Sequence, residues 1–336
     1  MGNEAASTRT TMRAAVRRRY GGPEVIEFAE VDVPEPAEQE VLVRVRASSV
    51  NPADLHDITG LPYLVRVGGV RRPRKHRLGT DFVGTVEAVG SRVTRFQPGD
   101  EVYGAELGGG AFAEYVCLEE GKGIAARPAG VTVQQAAVVG VAGLTALQGL
   151  RDKGKLRAGQ RVLINGASGG VGTFAVQIAK VLGAEVTAVC STSKVDLVTS
   201  LGADRVIDYT VTDFTSAGGP YDLMLDVAGG RSFSQCRRVL SPKATVVVVG
   251  GPDRSKLLGP IGHMLTMMLA ALPASQRATS FIGAARPDDL VSLTEMITAG
   301  TVTPVVERVY PLDQLADAVG YLAQGHVRGK LAVTVP

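Results

Sequence analysis

The sequence is organised around residues 161–191, RVLINGASGGVGTFAVQIAKVLGAEVTAVCS. The apolar run Arg161–Asn165 is typical of a buried parallel strand, and a glycine-rich turn follows it. Apolar residues then recur at helical spacing up to Val181, and Glu185–Cys190 forms a second apolar run. The stretch therefore predicts strand, glycine turn, helix and strand, the opening unit of a doubly wound parallel sheet.

The glycine turn predicts dinucleotide binding. A pyrophosphate reaches the N–H groups of a helix N-terminus only where no Cβ blocks it, so Gly169 allows its approach and Gly172 lets the helix pack on the strand. Ala167 replaces the first glycine of G-x-G-x-x-G, and a plain α/β turn is the alternative. The flanking strands and helix favour a cofactor site, and its candidate residues are Ala167, Ser168, Gly169, Gly170, Val171 and Gly172.

The end of the second predicted strand bears on the choice of cofactor. NAD sites carry an acidic residue about 20 positions after the turn, which accepts from the ribose 2′-OH. Here the strand end and the residues after it contain no carboxylate between Glu185 and Asp196. The hydroxyls of Ser191 and Ser193 and the cation of Lys194 suit a 2′-phosphate. We therefore predict NADPH rather than NADH. The alternative is a solvated Lys194 that is neutral to both cofactors.

Bulk properties predict a globular protein of two domains. The chain has 336 residues, 45% of them hydrophobic, and a net charge of +3, which is too small to indicate nucleic-acid or membrane binding. The three cysteines form no CxxC pair, and the N-terminus has no apolar core of a signal peptide. The apolar run Leu257–Leu272 is too short and interrupted to span a bilayer. We expect a cytoplasmic protein.

Two patterns divide the chain. Residues 13–130 carry short strands between Gly/Pro turns, which predicts a β-barrel-like domain, whereas residues 131–284 alternate strand and helix. The tail, residues 285–336, is expected to rejoin the first domain, which gives domains of 1–130 with 285–336, and 131–284. The predicted strands are Arg13–Arg18, Val25–Glu30, Glu40–Ser49, Gly84–Val89, Glu101–Tyr103, Ala111–Cys117, Gly123–Ala126, Arg161–Asn165, Glu185–Cys190, Arg205–Ile207, Leu223–Val227, Ala244–Val249 and Thr279–Ile282.

Motifs spread in order along the chain resemble the medium-chain dehydrogenase/reductase superfamily and, within it, the zinc-free quinone oxidoreductase-like branch. The resemblance implies a GroES-like β-barrel catalytic domain, a Rossmann domain that binds NADPH, an active site in the cleft between them, and a homodimer. The matching stretches are Val50-Asn51-Pro52-Ala53-Asp54, Leu78–Val86, Phe96–Val102, Gly143-Leu144-Thr145-Ala146, Ala167–Gly172, Leu201–Asp204, Ile207-Asp208-Tyr209 and Gly329-Lys330.

The departures from zinc-dependent members are equally informative. Those members carry a metal-binding cysteine where Asn51 stands, a His-Glu pair where Thr80-Asp81 stand, and a third ligand near Val141. A catalytic zinc needs three N, S or O ligands, so we predict no metal. The carbonyl must then be polarised by hydrogen bonds, which suits hydride transfer to a quinone or to the β-carbon of an α,β-unsaturated carbonyl. The alternatives are metal-free alcohol/ketone oxidoreduction and a non-catalytic NADPH-binding sensor.

The resemblance also implies site residues. Asn51, Tyr63, Thr80 and Thr145 occupy segments that line the nicotinamide cleft in relatives, and Tyr63 is the expected main donor to the substrate oxygen. A half-buried, structural Tyr63 is an equal alternative, and Asp54 is expected to hold its loop rather than transfer a proton. Further cofactor contacts are expected from Tyr209, Val227, Ala228, Gly250, Phe281 and Gly283.

One arginine-rich stretch allows two interpretations. A solvated loop is favoured, and the alternative is an electropositive rim at the substrate mouth that would attract an anionic substrate such as an acyl thioester. No aromatic residues alternate with the cations, which argues against a nucleic-acid site. Its cations are Arg66, Arg71, Arg72, Arg74, Lys75 and Arg77.

Overall fold

The computed structural model describes residues 10–74, 76–252 and 255–336, so Lys75 and most of the N-terminal extension lie outside the described residues. The strands are β1 Thr11–Val16, β2 Glu27–Asp32, β3 Glu40–Val50, β4 Asp81–Val89, β5 Glu101–Ala105, β6 Tyr115–Glu119, β7 Ile124–Ala126, β8 Arg161–Asn165, β9 Glu185–Cys190, β10 Arg205–Asp208, β11 Tyr221–Asp226, β12 Leu240–Val248, β13 Arg277–Ser280, β14 Val306–Pro311 and β15 Lys330–Thr334. The α-helices are α1 Pro52–Thr59, α2 Val133–Ala137, α3 Gly140–Leu147, α4 Gly170–Val181, α5 Val195–Ser200, α6 Phe233–Cys236, α7 Gly259–Ala271, α8 Pro287–Thr298 and α9 Leu315–Ala323.

The first domain, which the resemblance implies is the catalytic one, contains a sheet in the order β14-β15-β3-β4-β5-β7, with β6 pairing β3 as well. The two ends of the chain meet in this sheet, because β15 runs antiparallel to β3 and Leu331 pairs with Val50. This register places Lys330 beside Asn51, 279 residues away in the sequence. A separate ribbon of β1 and β2 packs against the same domain.

The second domain has a six-stranded sheet in the order β10-β9-β8-β11-β12-β13. Each of its pairings is parallel, which confirms the doubly wound prediction. Its central strands, such as β8 and β11, are mainly apolar and buried, as is usual where helices cover both faces of a sheet. The carboxyl ends of β8 and β11 are the central crevice where such sheets bind ligands. The domain limits at residues 130 and 284 stay predictions.

Some element boundaries differ from the sequence-based prediction. The strand expected at Ala111–Cys117 begins only at Tyr115. Phe112 lies in a buried loop before it, and the backbone N–H of Phe112 donates to Leu78 O. The last strand of the parallel sheet ends at Ser280, and Ile282 is 94% exposed. Helix α3 was missed because most of its residues are apolar and buried, so no amphipathic stripe marks it.

The apolar segment around α7 does not qualify as a membrane span. Across the described ranges, no helix combines the length and hydropathy needed to cross a bilayer. The helix instead packs Met267 and Ala271 into the core of the parallel sheet.

Candidate active site

The glycine turn between β8 and α4 has the geometry that a pyrophosphate requires. Gly169 caps α4 in an extended conformation, and a Cβ added there would meet only Gly166 O, at 3.6 Å. At Gly172 an added Cβ would lie 2.1 Å from Gly166 O, so glycine is needed for the helix to pack on the turn. The open space over Gly169 and the N–H groups of the first helical turn fit a dinucleotide phosphate.

A cavity of about 440 Å³ lies between the two sheets and contains this turn. Its lining joins Asn51 and Lys330 of the first domain to the carboxyl ends of the parallel strands. The predicted site residues that line it are Asn51, Ser168, Gly169, Gly170, Val171, Ser191, Lys194, Tyr209, Val227 and Ala228. A larger cavity of about 780 Å³ borders Glu40, Arg77 and Cys117. Because it shares no residue with the dinucleotide turn, we assign the active site to the smaller one.

The other predicted site residues lie outside this lining. Ala167 and Gly172 are buried beneath the turn, and the Ser193 carbonyl accepts from Arg328 Nη2 at 2.8 Å. The Thr145 hydroxyl donates to Val141 O at 2.7 Å and neighbours Gly283, where an added Cβ would approach it to 3.2 Å. The remaining residues outside the lining are Tyr63, Thr80, Gly250 and Phe281.

Tyr63 does not occupy the place expected of it. Its side chain is 48% exposed, and the Arg66 guanidinium stacks over its ring at 4.7 Å. Its backbone N–H donates to Lys256 O at 2.8 Å, which ties the segment to the loop before α7. The arrangement corrects the expectation of a tyrosine inside the cleft, because stacking and a backbone contact hold the ring at the surface.

The adenosine end of the cleft carries two cations from different domains. Lys194 lines the cleft, and its Nζ donates to Val327 O at 3.3 Å. Burial lowers its pKa, and the Glu307 carboxylate opposes that shift. Arg328 bonds the neighbouring Ser193 carbonyl, so a phosphate beside Ser191 would face both cations. Sequence reasoning missed Arg328, although it directly precedes the Gly329-Lys330 motif.

A buried polar network closes the catalytic-domain end of the cleft. Lys330 Nζ donates to Asn51 Oδ1 at 2.6 Å and to Val50 O at 2.9 Å, and it lies 3.6 Å from Asp81 Oδ2. Asn51 Nδ2 donates to Asp81 Oδ2 at 2.9 Å and to Ser49 O at 3.5 Å. The bond to Asp81 uses one amide hydrogen of Asn51 and the contact with Ser49 O is long, so donation by Asn51 to a substrate oxygen stays a prediction.

Asp81 connects the three positions at which zinc-dependent relatives carry ligands. Its Oδ1 accepts from Val141 N at 2.7 Å, its Oδ2 accepts from Asn51, and Thr80 precedes it in the chain. Over residues 10–74, 76–252 and 255–336, no group of three or more His, Cys, Asp or Glu side chains could hold a metal ion. The site offers hydrogen bonds and a buried lysine where those relatives have ligands.

Asp54 joins the same network from α1. Its Oδ2 accepts from Asn51 N at 2.8 Å, and Thr80 Oγ1 lies 3.2 Å from its Oδ1. Burial raises the pKa of Asp54 to about 7, and the Asp81 carboxylate adds to the rise, while the Asn51 N–H and Lys330 oppose it. Burial also lowers the pKa of Lys330, against the pull of both carboxylates.

Comparison with known proteins identifies the family of the chain. The alcohol dehydrogenase GroES-like domain family matches residues 37–129, and the zinc-binding dehydrogenase family matches residues 201–333. The chloroplast envelope quinone oxidoreductase homolog of Arabidopsis thaliana is 33% identical, over 96% of this chain and 98% of its own. The NADPH-dependent alkenal/one oxidoreductase of the same plant is 34% identical, over 98% of this chain and 81% of its own.

The fold has solved counterparts. The quinone oxidoreductase from Coxiella burnetii superposes with a TM-score of 0.86 at 28% identity, over 97% of this chain and 100% of that one. The match runs nearly the full length of both chains, so the similarity covers both large sheets.

Proposed function

Because the chain belongs to the medium-chain dehydrogenase/reductase superfamily, in its quinone oxidoreductase-like branch, we propose that this enzyme is an NADPH-dependent, zinc-independent reductase of quinones or α,β-unsaturated carbonyl compounds. One observation carries the proposal. The dinucleotide turn faces Asn51 and Val141 across the cleft, at positions where zinc-dependent relatives bind metal and this chain has no side chain suited to a catalytic zinc.

The residues of the chain divide the work. The first turn of α4 holds the pyrophosphate, and Lys194 with Arg328 flanks the 2′-phosphate through charge-assisted contacts. NADPH, when bound, supplies the hydride. Reduction of an enone or quinone moves an electron pair onto an oxygen, which fixed hydroxyl donors can stabilise. Small apolar residues such as Val141 and Ala142 leave room for a flat substrate beside these donors.

The name of the alkenal/one oxidoreductase relative supports NADPH and an enone, and that of the envelope homolog supports a quinone. We also propose a homodimer in the cytoplasm. The three cysteines are unpaired, as is usual in a reducing compartment.

The test is a turnover panel. The purified protein is assayed with NADPH and with NADH against an enone, a quinone and a ketone, with and without a chelator, alongside metal analysis. We expect oxidation of NADPH with the enone or quinone, at a rate that the chelator leaves unchanged. Turnover of the ketone alone would favour alcohol/ketone oxidoreduction, and NADPH binding without turnover would favour a sensor. Loss of activity together with one zinc per chain would overturn the metal-free mechanism.

A further inference from the structure

Asp54 and Thr80 share a hydrogen bond whose direction depends on protonation. Asp54 is 4% exposed, and its two oxygens have different neighbours. Oδ2 accepts from the backbone N–H of Asn51, whereas Oδ1 faces Thr80 Oγ1 at 3.2 Å. A hydroxyl can both donate and accept, and a backbone N–H can only donate. A proton on Asp54 is therefore placed on Oδ1, where Thr80 can accept it.

The charges around this pair favour a protonated Asp54. The charged groups that face it from other elements are Asp81 on β4 and Lys330 on β15. These two already neutralise each other at 3.6 Å, so a second buried carboxylate would have no cation of its own. Burying an unpaired charge is costly, and the group takes up a proton instead. The rise of the Asp54 pKa to about 7 agrees with this arrangement.

Thr80 has a single hydroxyl hydrogen, and its use decides what the site can do. If Asp54 is ionised, Thr80 must donate to it. If Asp54 is protonated, Asp54 donates to Thr80 and the Thr80 hydrogen becomes free. Thr80 keeps partial exposure where Asp54, Asn51 and Asp81 are buried. It lies behind the cleft lining and shares Asp54 with Asn51, which lines the cleft.

We propose that protonated Asp54 orients the Thr80 hydroxyl so that Thr80, rather than Tyr63, donates a hydrogen bond to the substrate oxygen. The inference rests on the proposed function and deepens it. NADPH, when bound, would supply a hydride to the β-carbon, and Thr80 would stabilise the charge that develops on the oxygen without losing its own proton. Water supplies the proton that completes the product. Asp54 acts through Thr80 and is a positioning residue.

The decisive variant is Asp54→Asn. An asparagine keeps an acceptor for Asn51 N–H and turns a permanent N–H donor toward Thr80, so it imitates the protonated acid at every pH. In the wild type, kcat/KM should fall about tenfold for each pH unit above about 7. In Asp54→Asn this fall should be absent. Asp317→Asn, at an exposed carboxylate on α9, is the control and should keep it.

Thr80→Val supplies the second arm. Below about pH 7 it should lower kcat/KM roughly ten- to a thousand-fold, the usual loss for one preorganised donor, with NADPH affinity little changed. Above about pH 7 the difference from the wild type should shrink, because ionised Asp54 already uses the Thr80 hydrogen there. Retention of the alkaline fall by Asp54→Asn, or wild-type kcat/KM in Thr80→Val, would overturn the inference.

A spectroscopic measurement separates this inference from the proposed function. Infrared difference spectra of Asp54→Asn against wild type, in the NADPH complex at pH 6, should show a protonated carboxylic acid band that the variant lacks. If no quinone or enone is reduced, the proposed function fails, while the band still reports whether Asp54 is protonated. If the enzyme turns over and the band is missing, this inference alone fails.

Discussion

The two ends of the cleft are built by opposite principles. At the catalytic-domain end, Asn51, Asp54, Asp81 and Lys330 are buried and hold one another through short hydrogen bonds. At the adenosine end the groups reach solvent: Tyr209 is 54% exposed, and Lys194 makes one long bond to a carbonyl.

This difference suggests that the buried end controls the chemistry of the site and that the adenosine end controls the preference between NADPH and NADH. Solvent and salt screen a buried pair of charges only weakly. Removing one partner therefore leaves the other as an uncompensated buried charge, which strongly destabilises the fold. Exposed cations are screened and contribute modestly to stability, but they can still discriminate between two dinucleotides. Four substitutions or conditions test this contrast, from the largest expected effect to the smallest.

The first test removes the buried cation. Lys330→Met should lower the free energy of unfolding by about 3–5 kcal/mol, because it leaves the Asp81 carboxylate without its buried counter-charge. Urea denaturation at pH 7 measures the loss. Lys122→Met, at the exposed pair with Glu119, is the control and should change little.

Adding Asp81→Asn to Lys330→Met should recover part of the loss, since both charges then leave together. If Lys330→Met were as stable as the Lys122→Met control, breaking the buried network would destabilise the protein no more than breaking the exposed pair of Lys122 and Glu119.

The same contrast explains what could be predicted from the sequence. The strand–turn–helix unit was predictable because its glycines, apolar periodicity and strand ends lie within 31 consecutive residues, 161–191. The zinc positions were recognised from local motifs too. The hydrogen bond between Lys330 and Asn51 joins residues that are 279 positions apart. It forms because the pairing of β15 with β3 brings the two residues together. A motif such as Gly329-Lys330 marks its residues without revealing what they contact.

The second test follows stability against pH. Asp54 in the unfolded chain ionises near pH 3.8, and burial raises its folded-state pKa to about 7. Its favourable contribution is therefore complete below pH 3.8 and is lost as pH rises to about 7. At about 1.4 kcal/mol per unit, wild type should lose roughly 4 kcal/mol of stability relative to Asp54→Asn over this window.

Urea denaturation of both proteins at pH 4, 5, 6, 7 and 8 measures the difference. It should grow up to about pH 7 and then stay level. A difference that does not vary with pH would mean that Asp54 is ionised when buried.

The third test concerns the exposed end. Lys194→Met should weaken NADPH binding by roughly 1–2 kcal/mol, because one charge-assisted contact to the 2′-phosphate is lost in a partly screened setting. NADH binding should barely change. Fluorescence titration of both cofactors gives the two affinities, and Arg328→Met is the parallel variant from the other domain. Equal losses for NADPH and NADH would refute a 2′-phosphate site between these cations.

The sequence-based prediction was weakest where it depended on the orientation of a side chain. Tyr63 was expected in the cleft because its segment follows the first helix, as the resemblance implies. The neighbouring arginine changes the outcome, since Arg66 stacks on Tyr63 and Tyr20 and donates to Gly60 O at 2.8 Å. Such a stack depends on three-dimensional placement, and an arginine-rich stretch does not reveal which of its members is structural.

The fourth test is Tyr63→Phe, the smallest expected effect. If Tyr63 were the main donor to the substrate oxygen, as the sequence suggested, its loss would cost ten- to a thousand-fold in kcat/KM. The half-exposed ring under Arg66 predicts a change within about threefold, the usual range for a surface substitution, since the stacking face is kept in phenylalanine. Steady-state kinetics with an enone should be run beside Thr80→Val in the same preparation. A large loss of kcat/KM in Tyr63→Phe, together with wild-type kcat/KM in Thr80→Val, would mean that Tyr63 and not Thr80 donates to the substrate oxygen.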